Sequence, residues 1–240
     1  MRARRRRRNR RLTKFQVRMV AMQPPFCYAH PIRERSYKMT EREKLKMGFW
    51  YDANNDTELL EQRYDAEELC YFLNQTSPKM AKKREEIMGT LLPNRGKDTT
   101  ILSPFYTDYG YNCFIGDNTF INHNAYLMDG APIKIGSYCF IGPNCGMYTA
   151  AHPLLAEERN QGLEKAKPIT IGNNVWIGAD VTILPGVTIG DNTVIGAKSV
   201  ITKDIPSNVI AVGNPCRVLR EITEQDSIKE EMKREEKNIE

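Results

Sequence analysis

From Ile171 onward the chain repeats every six residues. Aliphatic side chains recur at Ile171, Ile177, Ile183, Ile189, Ile195 and Ile201, and glycine follows four of them, at Gly172, Gly178, Gly190 and Gly196. A second series, Val175, Val181, Val187, Thr193 and Ser199, keeps the same period. The beat is also present upstream, at Ile115, Ile121 and Leu127, slips by two residues around Asp129-Gly130, and resumes at Ile135, Ile141 and Met147. An interruption at 151–167 separates the two runs. Self-similarity at a short fixed period is the mark of a solenoid. A triangular prism wound from short strands accounts for a period of six. Each flat side takes about six residues and a coil about eighteen, with one aliphatic side chain per side pointing to the axis. Coils stack as parallel strands about 4.8 Å apart, and glycine and small residues are expected to relieve the corners. Each coil covers its neighbours, so several are needed; about 100 repeat residues give roughly five or six. A sandwich of ordinary strands would not hold a six-residue beat over this length.

Ahead of the repeats the period is helical. Thr40-Glu41-Arg42-Glu43 has the form of a capping box and predicts a short helix to about Gly48. Asp52–Asp56 is a turn-rich loop. Thr57 opens a helix with an apolar stripe of Leu59, Leu60, the Arg63 stem, Tyr64, Leu69, Phe72 and Leu73. Ser77-Pro78 reads as N-cap and first helical residue of the next. Ile87, Leu91 and Leu92 supply its buried face, and Pro93-Asn94-Arg95-Gly96 stops it. The expected organisation is a basic tail and linker at 1–38, a helical domain at 39–98, a β-helix at 99–222 with a loop at 151–168, and a charged tail at 223–240. The final EITEQDSIKEEMKREEKNIE reads as a frayed helix.

Composition adds constraints. No run of 18 apolar residues suggests a membrane span, and no apolar core of a secretory signal stands at the N-terminus. Six cysteines without a CxxC pair read as reduced thiols of a cytoplasmic protein. The net charge of +5 comes from the tail: ten of the 35 Lys/Arg lie in residues 1–25, leaving 25 bases against 30 acids in the rest, or −5. The tail is low-complexity and reads as disordered. It admits three readings: an anion or nucleic-acid binder, an Arg-rich organelle presequence, or sequence upstream of a natural start at Met39. No function is built on it.

The candidate chemistry is sparse. Of three histidines, His30 lies in the linker and His123 within a repeat, while His152 stands where the beat breaks into a long loop. Imidazole suits general-base work near neutrality, and sites gather on loops of rigid scaffolds; a solvated loop histidine is the plainer alternative. Trp176 precedes an inward isoleucine and therefore faces outward. Either a neighbouring subunit or a long flat ligand would cover it. No cysteine is placed as a nucleophile.

Three stretches, MTEREKLKMGFWYDAN, DYGYNCFIGDNTFINHNAYLMDGAPIKIG and TAAHPLLAEERNQGLEKAKPITIGNNVWIG, resemble the hexapeptide-repeat acetyltransferases, and within them the maltose/galactoside O-acetyltransferase group. The resemblance spans about residues 39–222 and leaves the tail untouched. It implies a left-handed parallel β-helix and a homotrimer with active sites between subunits. It also implies transfer of acetyl from acetyl-CoA to a sugar hydroxyl without a metal. On this resemblance the catalytic base falls on His152 and the acceptor-binding residues on Asp52, Arg63, Asp108 and Asn122. The positions contacting acetyl-CoA fall on Gly142, Trp176, Ala179, Ala197, Thr202, Lys203, Arg217 and Arg220. Asp52 and Arg63 are expected as a polar pair for sugar hydroxyls, Asn122 as a partner of the hydroxyl or of the developing oxyanion, and the basic residues as phosphate anchors. Asp108 and Gly130 depart from the galactoside pattern, which has Ser and a second Asp there, and lean toward the maltose or glucose side. Three rivals remain at this level. A metal lyase like the γ-type carbonic anhydrases needs three histidines, and only His123 and His152 lie in the repeats. The others are a non-catalytic trimeric scaffold and an acetyltransferase for a non-sugar acceptor such as an antibiotic.

Overall fold

The computed structural model describes residues 38–229, 231 and 232. The expectations for the basic tail, and for the end of the charged C-terminal run, lie outside the described residues. The first part of that run is not helical as expected: Glu221 closes a strand and Glu224–Asp226 form a 3-10 turn.

The repeats form a parallel β-helix with three sheets as its sides. One sheet holds the strands Cys113–Ile115, Ile133–Ile135, Ile169–Ile171 and Thr188–Ile189. A second runs from Thr100–Ile101 through Phe120–Ile121, Phe140–Ile141, Trp176–Ile177 and Val194–Ile195 to Val209–Val212. It closes on the antiparallel strand Arg217–Glu221. The third comprises Phe105–Thr107, Ala125–Met128, Gly146–Tyr148, Thr182–Ile183 and Val200–Ile201. Residues of the beat pair directly across coils, as in Ile171 with Ile189, Ile177 with Ile195 and Ile183 with Ile201. All are buried, as is the second series from Val175 to Ser199. Burial of each aliphatic side chain in this axis contributes about 1.5–3 kcal/mol.

The corners are built differently from expectation. Left-handed backbone is carried by Asn118, Asn124, Tyr138, Asn144, Asn174, Asp180, Asn192, Lys198 and Asn208, with φ between 56° and 61°. Asn tolerates this region because its short side chain bonds locally. Here the corner amides also form ladders, Asn174 to Asn192 and Asn192 to Asn208, each at 3.0 Å. The glycines after the isoleucines serve close approach instead. A Cβ on Gly136 would stand 2.5 Å from the Gly172 carbonyl oxygen.

The helices pack on the first coils. Helix α1 (Glu41–Lys46) has the expected capping box, with Thr40 and Glu43 each bonding the other's backbone. Helix α2 (Thr57–Gln75) is capped by Asp56 and buries Leu59, Ala66, Cys70 and Leu73. The stripe is narrower than expected: Leu59 and Leu73 are buried and Leu69 packs on the core, but Tyr64 and Phe72 are exposed. Helix α3 (Ala81–Leu91) starts later than Ser77-Pro78 suggested, after a turn closed by the Met80 amide on the Ser77 carbonyl. Leu73, Ile87, Leu91 and Leu92 join the same apolar cluster as Ile101, Phe105 and Ile121, so α3 and the end of α2 share the β-helix core, while Leu45 and Leu59 join Tyr51, Ala53 and Tyr109 in a smaller cluster.

One corner breaks the beat in three successive coils. The inward positions Thr107 and Ile115, then Leu127 and Ile135, are eight residues apart instead of six, and Met147 is followed by Ile171. The insertions at 108–110, at 129–130 and after Thr149 thus stack on one edge, between the third sheet and the first. In later coils, as from Ile183 to Ile189, the step returns to six.

Candidate active site

The third insertion is a hairpin rather than a loop. Ala150–Ala151 pairs antiparallel with Leu163–Ala166, whose other edge takes Tyr51–Asp52; helix α4 (Ala156–Arg159) stands at its tip. His152 follows the first of these strands. Its Nδ1 lies 3.0 Å from the Leu163 carbonyl, which can only accept, so Nδ1 carries a proton and in the neutral ring Nε2 presents the lone pair. The neighbouring carboxylate of Glu164 stands 4.0 Å from Nε2, and its other oxygen accepts the Tyr51 hydroxyl. Burial, and then the Glu164 charge, push the Tyr51 phenol well above its ordinary value, so it remains a donor.

His152 opens on a cleft of about 970 Å³ whose polar lining includes Arg63, Glu67, Asp108, Tyr126 and Glu164. The Asp108 carboxyl accepts the Tyr126 hydroxyl. Burial pushes Asp108 up to about 6 against that bond; the Asp129 and Glu164 charges add to the shift and Arg63 opposes it. Tyr148 packs edge-on against Tyr126 and lines the same wall. Arg63 donates to the Ala53 carbonyl at 2.6 Å.

Asp52 behaves otherwise than expected. It makes no pair with Arg63. Its carboxylate takes the amides of Asn54 and Asn55 at 3.1 and 3.0 Å and the Asn55 side chain. Burial alone would raise its pKa, but these bonds outweigh it and the net direction is down. It fixes the turn at the rim of the cleft without lining it.

Five of the remaining predicted residues lie on a different side of the prism. Asn122, Gly142, Trp176, Ala179 and Ala197 line a groove of about 530 Å³, walled by Phe120 and Phe140. Trp176 is 57% exposed and sits in register between Phe140 and Val194. Asn122 is outside the corner ladders; its side-chain oxygen accepts the adjacent His123 amide at 2.8 Å. Thr202 and Lys203 are exposed on the last coil, beyond the groove lining. Arg217 donates to the Cys216 carbonyl. Arg220 pairs with Asp226 on the surface through two bonds of 2.8 and 2.6 Å. The five described cysteines are buried and unpaired.

Glu164, Glu67, Tyr126 and Tyr148 were missed at the sequence level. Tyr126 and Tyr148 could have been found by the argument used for Trp176, since each adjoins an inward residue, Leu127 and Met147, and must face outward. Glu164 carried no comparable signal, because it lies where the beat is absent.

Two family signatures match. The bacterial transferase hexapeptide, six repeats, covers residues 168–203, and the maltose acetyltransferase hexapeptide capping motif covers residues 44–96. A Saccharomyces cerevisiae protein classed among the acetyltransferases is 50% identical over 185 residues, 77% of this chain and 94% of its own length. The crystal structure of a maltose O-acetyltransferase from Clostridium difficile superposes with a TM-score of 0.75 at 46% identity, covering 78% of this chain and 99% of that one. A galactoside acetyltransferase in complex with coenzyme A gives 0.75 at 41% identity, covering 79% and 94%.

Proposed function

Because the chain belongs to the hexapeptide-repeat acetyltransferases of the maltose and galactoside O-acetyltransferase group, we propose that it transfers acetyl from acetyl-CoA directly to a sugar hydroxyl, with His152 as general base. The observation that carries this reading is the His152 ring, tied through Nδ1 to Leu163 and open through Nε2 to the polar cleft.

In this mechanism the acceptor lies in the cleft, where Asp108, Arg63 and the Tyr126–Tyr148 wall supply polar partners and aromatic surface. Nε2 removes the hydroxyl proton as the oxygen attacks the thioester carbonyl. The Leu163 carbonyl keeps the ring oriented, and the Glu164 carboxylate favours the imidazolium while it exists. Collapse of the tetrahedral intermediate expels the CoA thiolate, which takes the proton from Nε2. The proton and the acetyl group thus exchange places between sugar and thiol. Burial of the described cysteines supports transfer without an acyl-enzyme.

The groove suits a thin extended co-substrate. Gly142, Ala179 and Ala197 keep its floor low beside the exposed indole of Trp176, and Lys203 makes no ion pair among the described residues. Cleft and groove lie apart within one chain, which favours a homotrimer in which the cleft of one subunit meets the groove of the next. Asn122 would then reach the acceptor or the oxyanion from the neighbouring subunit.

The test is release of CoA thiol from acetyl-CoA with glucose, maltose and a β-galactoside, in wild type and His152→Ala. We expect sugar-dependent release that falls by about 10²–10⁴-fold in the variant. Equal release by both proteins would remove His152 as base; CoA binding without release on any sugar would point to another acceptor or to a scaffold.

A further inference from the structure

Asp129 is completely buried and belongs to no step of the mechanism above. We infer that it is a positioning residue for the acceptor cleft: its carboxylate gathers the donors of the 107–112 segment and so fixes where Asp108 stands. This rests on the acetyl-transfer reading.

The hydrogen bonds are specific. Asp129 Oδ1 accepts the Thr107 hydroxyl at 2.7 Å and the amides of Asp108 and Tyr109 at 3.1 and 2.8 Å. Its Oδ2 accepts the Asn112 amide at 3.1 Å, and its backbone carbonyl takes the Asn112 side chain at 2.8 Å. Among the described residues no lysine or arginine pairs with it. A buried carboxylate without a cation is costly, and packing alone would be served by an apolar side chain. What requires an acceptor here is the broken beat. The break after Thr107 leaves amides of the 108–112 segment without ladder partners, and one carboxylate serves three of them.

The same corner continues below. Thr149 Oγ1 accepts the Ala131 amide at 3.1 Å and donates to the Met128 carbonyl at 2.6 Å. A buried polar column of Thr107, Asp129 and Thr149 therefore runs through the three insertions, from Asp108 to the strand that precedes His152. Asp108 in turn receives the Tyr126 hydroxyl, so a displaced 107–112 segment would move a carboxyl that lines the cleft together with Arg63.

Asp129→Asn keeps size and one acceptor oxygen but sets an amide donor against the Asn112 amide. We expect acceptor KM to rise by at least ~10-fold, because small misplacements near reacting groups are expensive, with kcat and CoA affinity within about threefold of wild type. Hydrogen exchange should accelerate at the amides of Asp108, Tyr109 and Asn112 while that of Gly136 is unchanged. Thr107→Val, which removes a single donor, should show a smaller shift of the same kind and serves if Asp129→Asn does not fold. A folded variant with unaltered acceptor KM, or with kcat, CoA affinity and acceptor KM impaired alike, overturns the inference. If the wild type acetylates no sugar, the sugar reading fails and the exchange experiment still decides: acceleration confined to 107–112 supports positioning by Asp129, and unchanged exchange overturns it.

Discussion

Asp108 carries the clearest titration consequence of any single side chain in the cleft. Its folded value of about 6 lies above the ordinary 3.8, chiefly because of burial. Between those values the folded state holds a proton that the unfolded chain has released. Stability from this group is therefore fully present below about pH 4, declines as pH rises to about 6, and is flat above. Asp108→Asn keeps an oxygen for the Tyr126 hydroxyl and removes the titration. Urea unfolding at pH 4 and pH 7 should then show wild type losing more stability than the variant over that interval; parallel pH profiles would mean that the carboxyl titrates normally. At this scale the sequence was readable where a residue broke a rule. His152 stood out because the repeat stopped, and Trp176 because a large ring filled an outward slot. Asp52 and Arg220 were placed by resemblance, and their own hydrogen bonds, to the Asn54-Asn55 turn and to Asp226, could not be read from type or spacing. Glu164 is set beside His152 by the antiparallel pairing of Leu163–Ala166 with Ala150–Ala151, a contact with no local signature.

Elements were legible in proportion to the regularity of their period. The isoleucine beat gave coil count and inward faces directly, since one side chain per flat side must enter the axis. The role of glycine was misread because the same residue serves left-handed corners and close approach, and only the coil spacing distinguishes them. Two substitutions separate these uses. Gly136→Ala drives a methyl against the Gly172 backbone and should cost about 1–3 kcal/mol, as overpacking does. Gly89→Ala sits in α3 with nothing within 4 Å of the added Cβ and should stabilise by about 0.5–1 kcal/mol through helix propensity. Opposite shifts in Tm are expected from the two variants, and a neutral Gly136→Ala would show that adjacent coils can separate. The stripe of α2 was drawn too wide for a different reason: Tyr64 looks apolar in a stripe but lines the cleft, where an amphipathic ring is useful.

Across the whole molecule, the exposed aromatics of the second sheet demand a cover. Phe140 and Trp176 are 58% and 57% exposed and adjacent in register, a larger apolar surface than isolated surface residues create. His152 and Asn122 line separate cavities of one chain, so the proposed site that uses both would draw them from two subunits. That arrangement is testable by mixing. His152→Ala and Asn122→Ala should each be nearly inactive alone. Unfolded together and reassembled in equal amounts, a cyclic trimer would contain sites that take His152 from one subunit and Asn122 from the next. Random assembly makes roughly a quarter of sites fully wild type. Recovery of about a quarter of wild-type activity, absent when the folded variants are merely combined without exchange, is the expected outcome. No recovery despite demonstrated mixed trimers would mean that each site is complete within one chain, and that the aromatic groove serves assembly alone.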